Sequence, residues 1–150
     1  METNRQFRER LTDLFDSQNL AALSTHNAGQ PYASLVAFYA GSDLRHIYFA
    51  TPKTTRKFAN LSADKRVAIM INNSSNEASD FHQAISVTAI GEAQEISGEE
   101  KKLITQQYLA KHPYLDDFVG SPTCAVIKVS VDSYYLVRNF QNVMELHLKS

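Results

Sequence analysis

A chain of 150 residues with 43% hydrophobic and 21% charged side chains has room for one well-filled core, too little for two ordinary domains, and no compositional mark of disorder. A net charge of −1 excludes a general attraction to nucleic acid or to an anionic membrane, so any anion site has to be local. The one cysteine, Cys124, excludes an internal disulfide framework and a thiol-rich metal site.

The N-terminal METNRQFRERL opens polar, without a signal-peptide core, and no later apolar run reaches membrane-spanning length. A soluble cytoplasmic protein of one domain, residues 1–150, is expected. Phe7, Leu11, Leu14 and Phe15 recur at helical spacing between Thr3 and Ser17 and predict an amphipathic opening helix. LAALST and PYASLVAFYA, joined by a short turn around Gly29, read as a hairpin, and Gly41, Ser42 and Asp43 mark another turn before the strand HIYFAT.

The stretch that follows carries the most chemistry. An apolar strand ends at Thr51, a hydroxyl-rich basic run TPKTTRK leads into a helix, and a second apolar strand closes the unit at Ile71. The first N–H groups of a helix have no intrahelical acceptor, and with the dipole they favour an anion. Thr51, Thr54 and Thr55 add hydroxyl donors, Arg56 a planar fork suited to phosphate, and Lys57 a further positive charge. The alternative is an ordinary threonine cap, with Lys53, Arg56 and Lys57 as a solvated helix face.

Arg66 to Ile71 is apolar on both faces, which predicts cover on each side. NNSSNEASD is a polar loop, and AISVTAIGEAQEI a long strand in which Gly91 permits a bulge. Ser97 with Glu100 forms a capping box that opens a helix running to about Ala110, ended by His112 and Pro113. The acidic pair Asp116 and Asp117 reads as a solvated loop. TCAVIKVSV, YYLVR and VMELHL are the last strands, with Cys124 and Tyr134 as core residues. Six or seven strands, three helices and short connections predict a mainly β protein with a small closed antiparallel sheet, a barrel.

Five ordered blocks then carry a resemblance: GQPYASLV at 29–36, YFATPKTTRK at 48–57, RVAIMI, VTAIGEAQEIS and IKVSVDSYYL. Together, from about Leu20 to Asn139, they resemble the pyridoxine/pyridoxamine 5′-phosphate oxidase family and its smaller relatives, the FMN-binding split barrels. The resemblance implies a homodimeric split β-barrel with FMN in clefts at the subunit interface. It places Arg56 and Lys57 against the FMN phosphate, with Thr51 and Thr55 donating hydrogen bonds to it. Ser34, Leu35 and Val36 run along the isoalloxazine, Ala50 belongs to the same cofactor set, and Ser86 is a polar contact from the second subunit.

Departures from the family pattern bear on substrate. The oxidase has arginine where Ser34 stands and an aromatic residue where Val137 stands. Its phosphate-gripping lysine, arginine and serine correspond to Tyr39, His112 and Asp116, and only Tyr108 keeps its type. The positions nearest its pyridoxal-handling arginine and histidine are Val143, Glu145 and His147. Exchanging cations for neutral groups and a carboxylate disfavours a doubly charged substrate. The expectation is an oxidoreductase acting on an unidentified small or planar acceptor, with no catalytic side chain and no metal ligand named, since bound flavin would carry the chemistry. The alternatives are a haem-binding or haem-degrading protein with His112 or His147 as axial ligand, a flavin-binding stress protein without efficient turnover, and a deazaflavin in place of FMN.

Overall fold

The computed structural model describes residues 3–139 and 142–148. Seven strands alternate with short helices: α1 (Asn4–Ser17), β1 (Leu20–Asn27), β2 (Gln30–Ala40), β3 (His46–Pro52), α2 (Arg56–Ala63), β4 (Arg66–Asn72), α3 (Asp80–Gln83), β5 (Ile85–Glu95), α4 (Gly98–Lys111), a 3-10 turn (Pro113–Leu115), α5 (Asp116–Gly120), β6 (Cys124–Arg138) and β7 (Asn142–His147). All pairings are antiparallel, in the order β3-β2-β1-β4-β5-β6-β7, and β3 also pairs with β6. That last pairing closes a six-stranded barrel and leaves β7 as an added strand, the split barrel expected from the sequence.

The split has a visible cause. β6 is 15 residues long, and its first half pairs with β3 from Cys124 to Ser130 while its second half pairs with β7 from Ser133 to Arg138. On the same side β3 gives way to β7 without a break in β6, so the predicted pair TCAVIKVSV and YYLVR is one strand. β2 likewise runs past the end of β3, which pairs with it only at Phe38, Tyr39 and Ala40. The edge of β2 at residues 34–36 that faces away from β1 therefore has no strand partner.

Alternation along the strands makes two cores. Inward-facing Leu23, Val36, Phe38, Ile47, Phe49, Ile69, Val87 and Ile127 fill the barrel, and α1 adds Phe7, Leu11, Leu14 and Phe15 to them. Phe15 meets Phe38 edge to face at 6.0 Å, and the buried Tyr134 hydroxyl donates to the Leu44 carbonyl at 2.7 Å. A smaller core lies outside the barrel, where Tyr48, Ala50 and Val126 meet Ile104 and Tyr108 of α4 and Val119 of α5. The type of turn between β1 and β2 follows from Ala28 and Gly29, whose φ values of 50° and 88° are the left-handed pair a tight hairpin requires. At Gly91 the β5–β6 register shifts, as the glycine predicts.

Several local expectations are corrected. The described residues hold five α-helices, not three, because the polar run after Asn72 folds into α3 and the Asp116–Asp117 pair opens α5. Ser97 makes no side-chain cap to α4; Gly98 sits at φ 64°, and Glu100 bonds Lys128 at 2.8 Å instead of reaching back. A capping box does form at α1, where Thr3 and Gln6 bond reciprocally. On β4, Val67 and Ile69 enter the core while Met70 is 41% exposed, so its outer face is uncovered within one chain.

Candidate functional site

The strand-turn-helix corner folds as its residues dictate. β3 ends at Pro52, the Lys53 N–H donates to the Thr123 carbonyl at 2.9 Å, and Thr55 caps α2 by accepting from the Phe58 N–H at 3.3 Å. Leu61 enters the barrel core, and the buried Asn60 amide donates to Thr25 Oγ1 at 3.1 Å, fixing the helix against β1. The N–H groups of Arg56 and Lys57 thus point out of the first helical turn with no intrahelical acceptor. Lys53 is paired with Glu95 at 3.5 Å, whereas among the described residues Arg56 and Lys57 have no carboxylate partner. Arg56 lies over the Tyr32 ring at 5.7 Å, which limits the volume its guanidinium samples.

The two threonines are placed differently from each other. Thr51 has no exposed surface, and its hydroxyl is 2.8 Å from that of Thr55 and 3.1 Å from the Pro52 carbonyl. Buried in this way, Thr51 braces the Thr55 side chain. Thr55 is half-buried and holds the Pro52 carbonyl at 3.0 Å. Ser34, on the inner face of β2, has a hydroxyl that is buried and has no hydrogen-bond partner. A buried orphan of this kind costs stability and is a mark of a site that a ligand completes.

Beside the corner lies a cleft of about 270 Å³, bounded by Leu35, Val36, Ala37, Ala50, Pro52, Lys57, Tyr108, Leu115 and Phe118. Its walls are apolar and Lys57 is the one charge among them. The volume, about 270 Å³, is just below the roughly 300 Å³ at which small-molecule sites begin, too small to enclose a large planar molecule by itself. Leu35, at its mouth, is 67% exposed. From there the outer face continues in register as Leu35, Ala22, Met70 and Thr88, with Ala33, Ser24, Ala68 and Ile90 in the next row. No charged side chain interrupts either row. Leu115 and Phe118 were hidden in the sequence by the presumed loop; their spacing of three was the helical signal available.

Ser86 lies apart from this cleft, in a second one with Val137 and Asn72. One chain therefore does not gather all the expected cofactor residues. At the expected substrate end the polar groups are already used. The Tyr39 hydroxyl donates to Gln107 at 3.1 Å, the Tyr108 hydroxyl to the Ala37 carbonyl at 3.0 Å, and His112 Nε2 to the Phe38 carbonyl at 2.7 Å, while Asp116 is exposed. Burial pushes the Tyr108 phenol up to about 12 and keeps the His112 imidazole below its ordinary value, hence neutral. These side chains fasten α4 to β2. With its Nε2 given to the backbone, His112 is also not poised as the axial ligand considered above. His147 is exposed, between Ser133 at 2.7 Å and Glu145 at 2.9 Å.

Comparison with known proteins agrees with this architecture. The family model described as Pyridoxamine 5′-phosphate oxidase matches residues 7–138. No curated protein matches the chain in sequence. Among solved structures, a heme binding protein from Mycobacterium smegmatis superposes with a TM-score of 0.82 at 20% identity, covering 93% of this chain; the chain spans 57% of that protein's length. A FAD-binding protein from Mesorhizobium loti gives 0.70 at 16% identity over 85% of this chain and 90% of its own. General Stress Protein 26 from Bacillus anthracis gives 0.70 at 17% over 95% and 98%. At these identities the likeness establishes the fold.

Proposed function

The chain belongs to the pyridoxamine 5′-phosphate oxidase family, and on that premise we propose that it is an FMN-binding flavoprotein, a homodimer acting as an oxidoreductase on a small or planar acceptor. The observation that carries the proposal is the corner itself: Arg56 and Lys57 without carboxylate partners and two open helix N–H groups, with Lys57 in the wall of an apolar cleft, while Ser34 on neighbouring β2 has an unpartnered hydroxyl. These residues fit a flavin nucleotide. A phosphate close to doubly charged needs at least one fixed cation, and here two are offered with a dipole behind them. Thr55 donates once it releases the Pro52 carbonyl, with Thr51 holding it in place.

Leu35, Val36 and Ala50 supply apolar walls for the ring, and the unpaired edge of β2 at 34–36 offers backbone groups to its polar rim. When bound, FMN supplies hydride or single-electron transfer. The chain binds it, orients it and excludes water. The incomplete cleft, the separation of Ser86 from Lys57 and the charge-free outer rows all support a second copy that brings its Ser86 to the cofactor. Pyridoxamine phosphate is not the substrate proposed, because the family's lysine and arginine are Tyr39 and His112 here and its serine is Asp116, a carboxylate.

Absorption and fluorescence titration with FMN and with haemin, separately, tests this. Stoichiometric quenching of FMN fluorescence with structured flavin bands is expected. An intense Soret band with haemin and no response to FMN overturns it.

A further inference from the structure

Lys111, the last residue of α4, reaches the end of α1: its Nζ donates to the Phe15 carbonyl at 2.9 Å and lies 3.8 Å from the centroid of the Phe38 ring. Among the described residues no carboxylate oxygen stands within ion-pair distance of that nitrogen. The same lysine lines a cleft of about 400 Å³ where α1, β2 and α4 meet, inside the roughly 300–1,000 Å³ of small-molecule sites. Its other walls are Phe15, Asp16, Tyr39, Ala40, Gln107 and Ala110. This cleft shares no residue with the one at Lys57.

A lysine placed in this way has a chemistry that an exposed one lacks. Burial lowers its pKa to about 8, with Asp16 opposing the shift. At pH 7.5 roughly a quarter of such amines are neutral, against about one in a thousand for an exposed lysine at its ordinary 10.5. The neutral amine keeps an N–H for the Phe15 carbonyl and carries a lone pair besides. Around it, Tyr39 has given its hydroxyl to Gln107, and His112 is held neutral by burial with its Nε2 on the Phe38 carbonyl, so Asp16 is the charge left to face an occupant. We propose that this cleft takes a small uncharged aldehyde and that Lys111 condenses with it to a reversible Schiff base. Nζ adds to the carbonyl carbon; the carbinolamine then loses the carbonyl oxygen with both amine hydrogens as water, and C=N forms with no oxidant or reductant. Protonated by solvent, the imine again has one N–H for the Phe15 carbonyl, and its charge lies beside the Phe38 ring. An aldehyde that bears a carboxylate is repelled by Asp16 while the amine is neutral.

The test incubates the protein with benzaldehyde at the same pH, traps imines with cyanoborohydride and maps them by peptide mass spectrometry, with the exposed Lys102 as internal reference. A weaker base is a weaker nucleophile, which offsets part of the gain in neutral amine, and Lys111 is expected to be benzylated about tenfold faster than Lys102. With 4-formylbenzoate that ratio should fall about threefold at low salt. Ala110→Phe, at an exposed position of the cleft wall, should slow Lys111 about tenfold and leave Lys102 unchanged. In concentrated urea the advantage of Lys111 should vanish. Labelling no faster than at Lys102, an advantage that survives urea, equal ratios for the two aldehydes, or indifference to Ala110→Phe overturns the assignment. None of these readouts involves FMN, so their failure and the failure of the cofactor proposal are separate results.

Discussion

Replacing Lys57 by alanine isolates the electrostatic part of the proposed cofactor site. Lys57 is half-buried in the cleft wall and has no carboxylate partner, so its ammonium is free to serve a ligand anion. A hydrogen bond to a charged group is worth about 1.5–3 kcal/mol, which is about 10- to 150-fold in affinity. Arg56 is exposed and held over Tyr32, and for a solvent-screened charge about 1 kcal/mol or less is appropriate, roughly fivefold. The helix N–H groups survive both substitutions, so the double variant Arg56→Ala, Lys57→Ala retains residual binding, and its loss need not equal the product of the singles. Riboflavin, which lacks the phosphate, should bind all variants within about twofold of the parent. Fluorescence titration of FMN and riboflavin at two salt concentrations measures this, and the salt sensitivity of FMN should fall with each cation removed. If the two ligands weaken equally, the cations act on the fold or the ring, and the phosphate assignment is wrong.

Gly91→Ala places a methyl group 2.2 Å from the Ser130 carbonyl oxygen and 3.1 Å from Val129 Cγ1 at the β5–β6 bulge. Overpacking against backbone costs about 2–3 kcal/mol, so thermal denaturation should move down by roughly 4–12 °C, and an unchanged midpoint contradicts the geometry. Lys111 Nζ donates to the Phe15 carbonyl at 2.9 Å and lies 3.8 Å from the Phe38 ring centroid, and burial lowers its pKa to about 8. A lysine depressed in the folded state is penalised for its charge below about 8, and the penalty fades as pH rises toward its ordinary value of about 10.5. The denaturation midpoint relative to Lys111→Met should therefore shift in favour of the parent across that window; a flat difference refutes the burial argument. Leu35→Glu with Met70→Glu puts charge into the exposed rows of the outer face and should yield monomers in sedimentation, with FMN lost in parallel. A parent protein that sediments as a monomer with FMN bound removes the shared-site proposal.

Periodicity alone determined the mainly β class, the opening helix and most strand positions, because alternation and helical spacing record which side chains must leave water. The strand-turn-helix corner was equally plain, since capping, dipole and charge are local properties of neighbouring residues. Sequence by itself could not show that Thr51 is sealed beneath Thr55, that Tyr108 and His112 spend their polar atoms on β2 carbonyls, or that Ser34 is left without a partner. Those outcomes depend on which distant backbone atoms arrive beside them. Nor did it reveal that β6 runs unbroken from β3 to β7, because a turn-like Asp132–Ser133 is overridden when ladder bonds from Val131 to Arg45 and from Leu148 to Asp132 carry the strand through. That Ser86 and Lys57 lie in separate clefts was decided by barrel closure, which puts Ser86 on β5 and Lys57 on α2 at different places on the sheet.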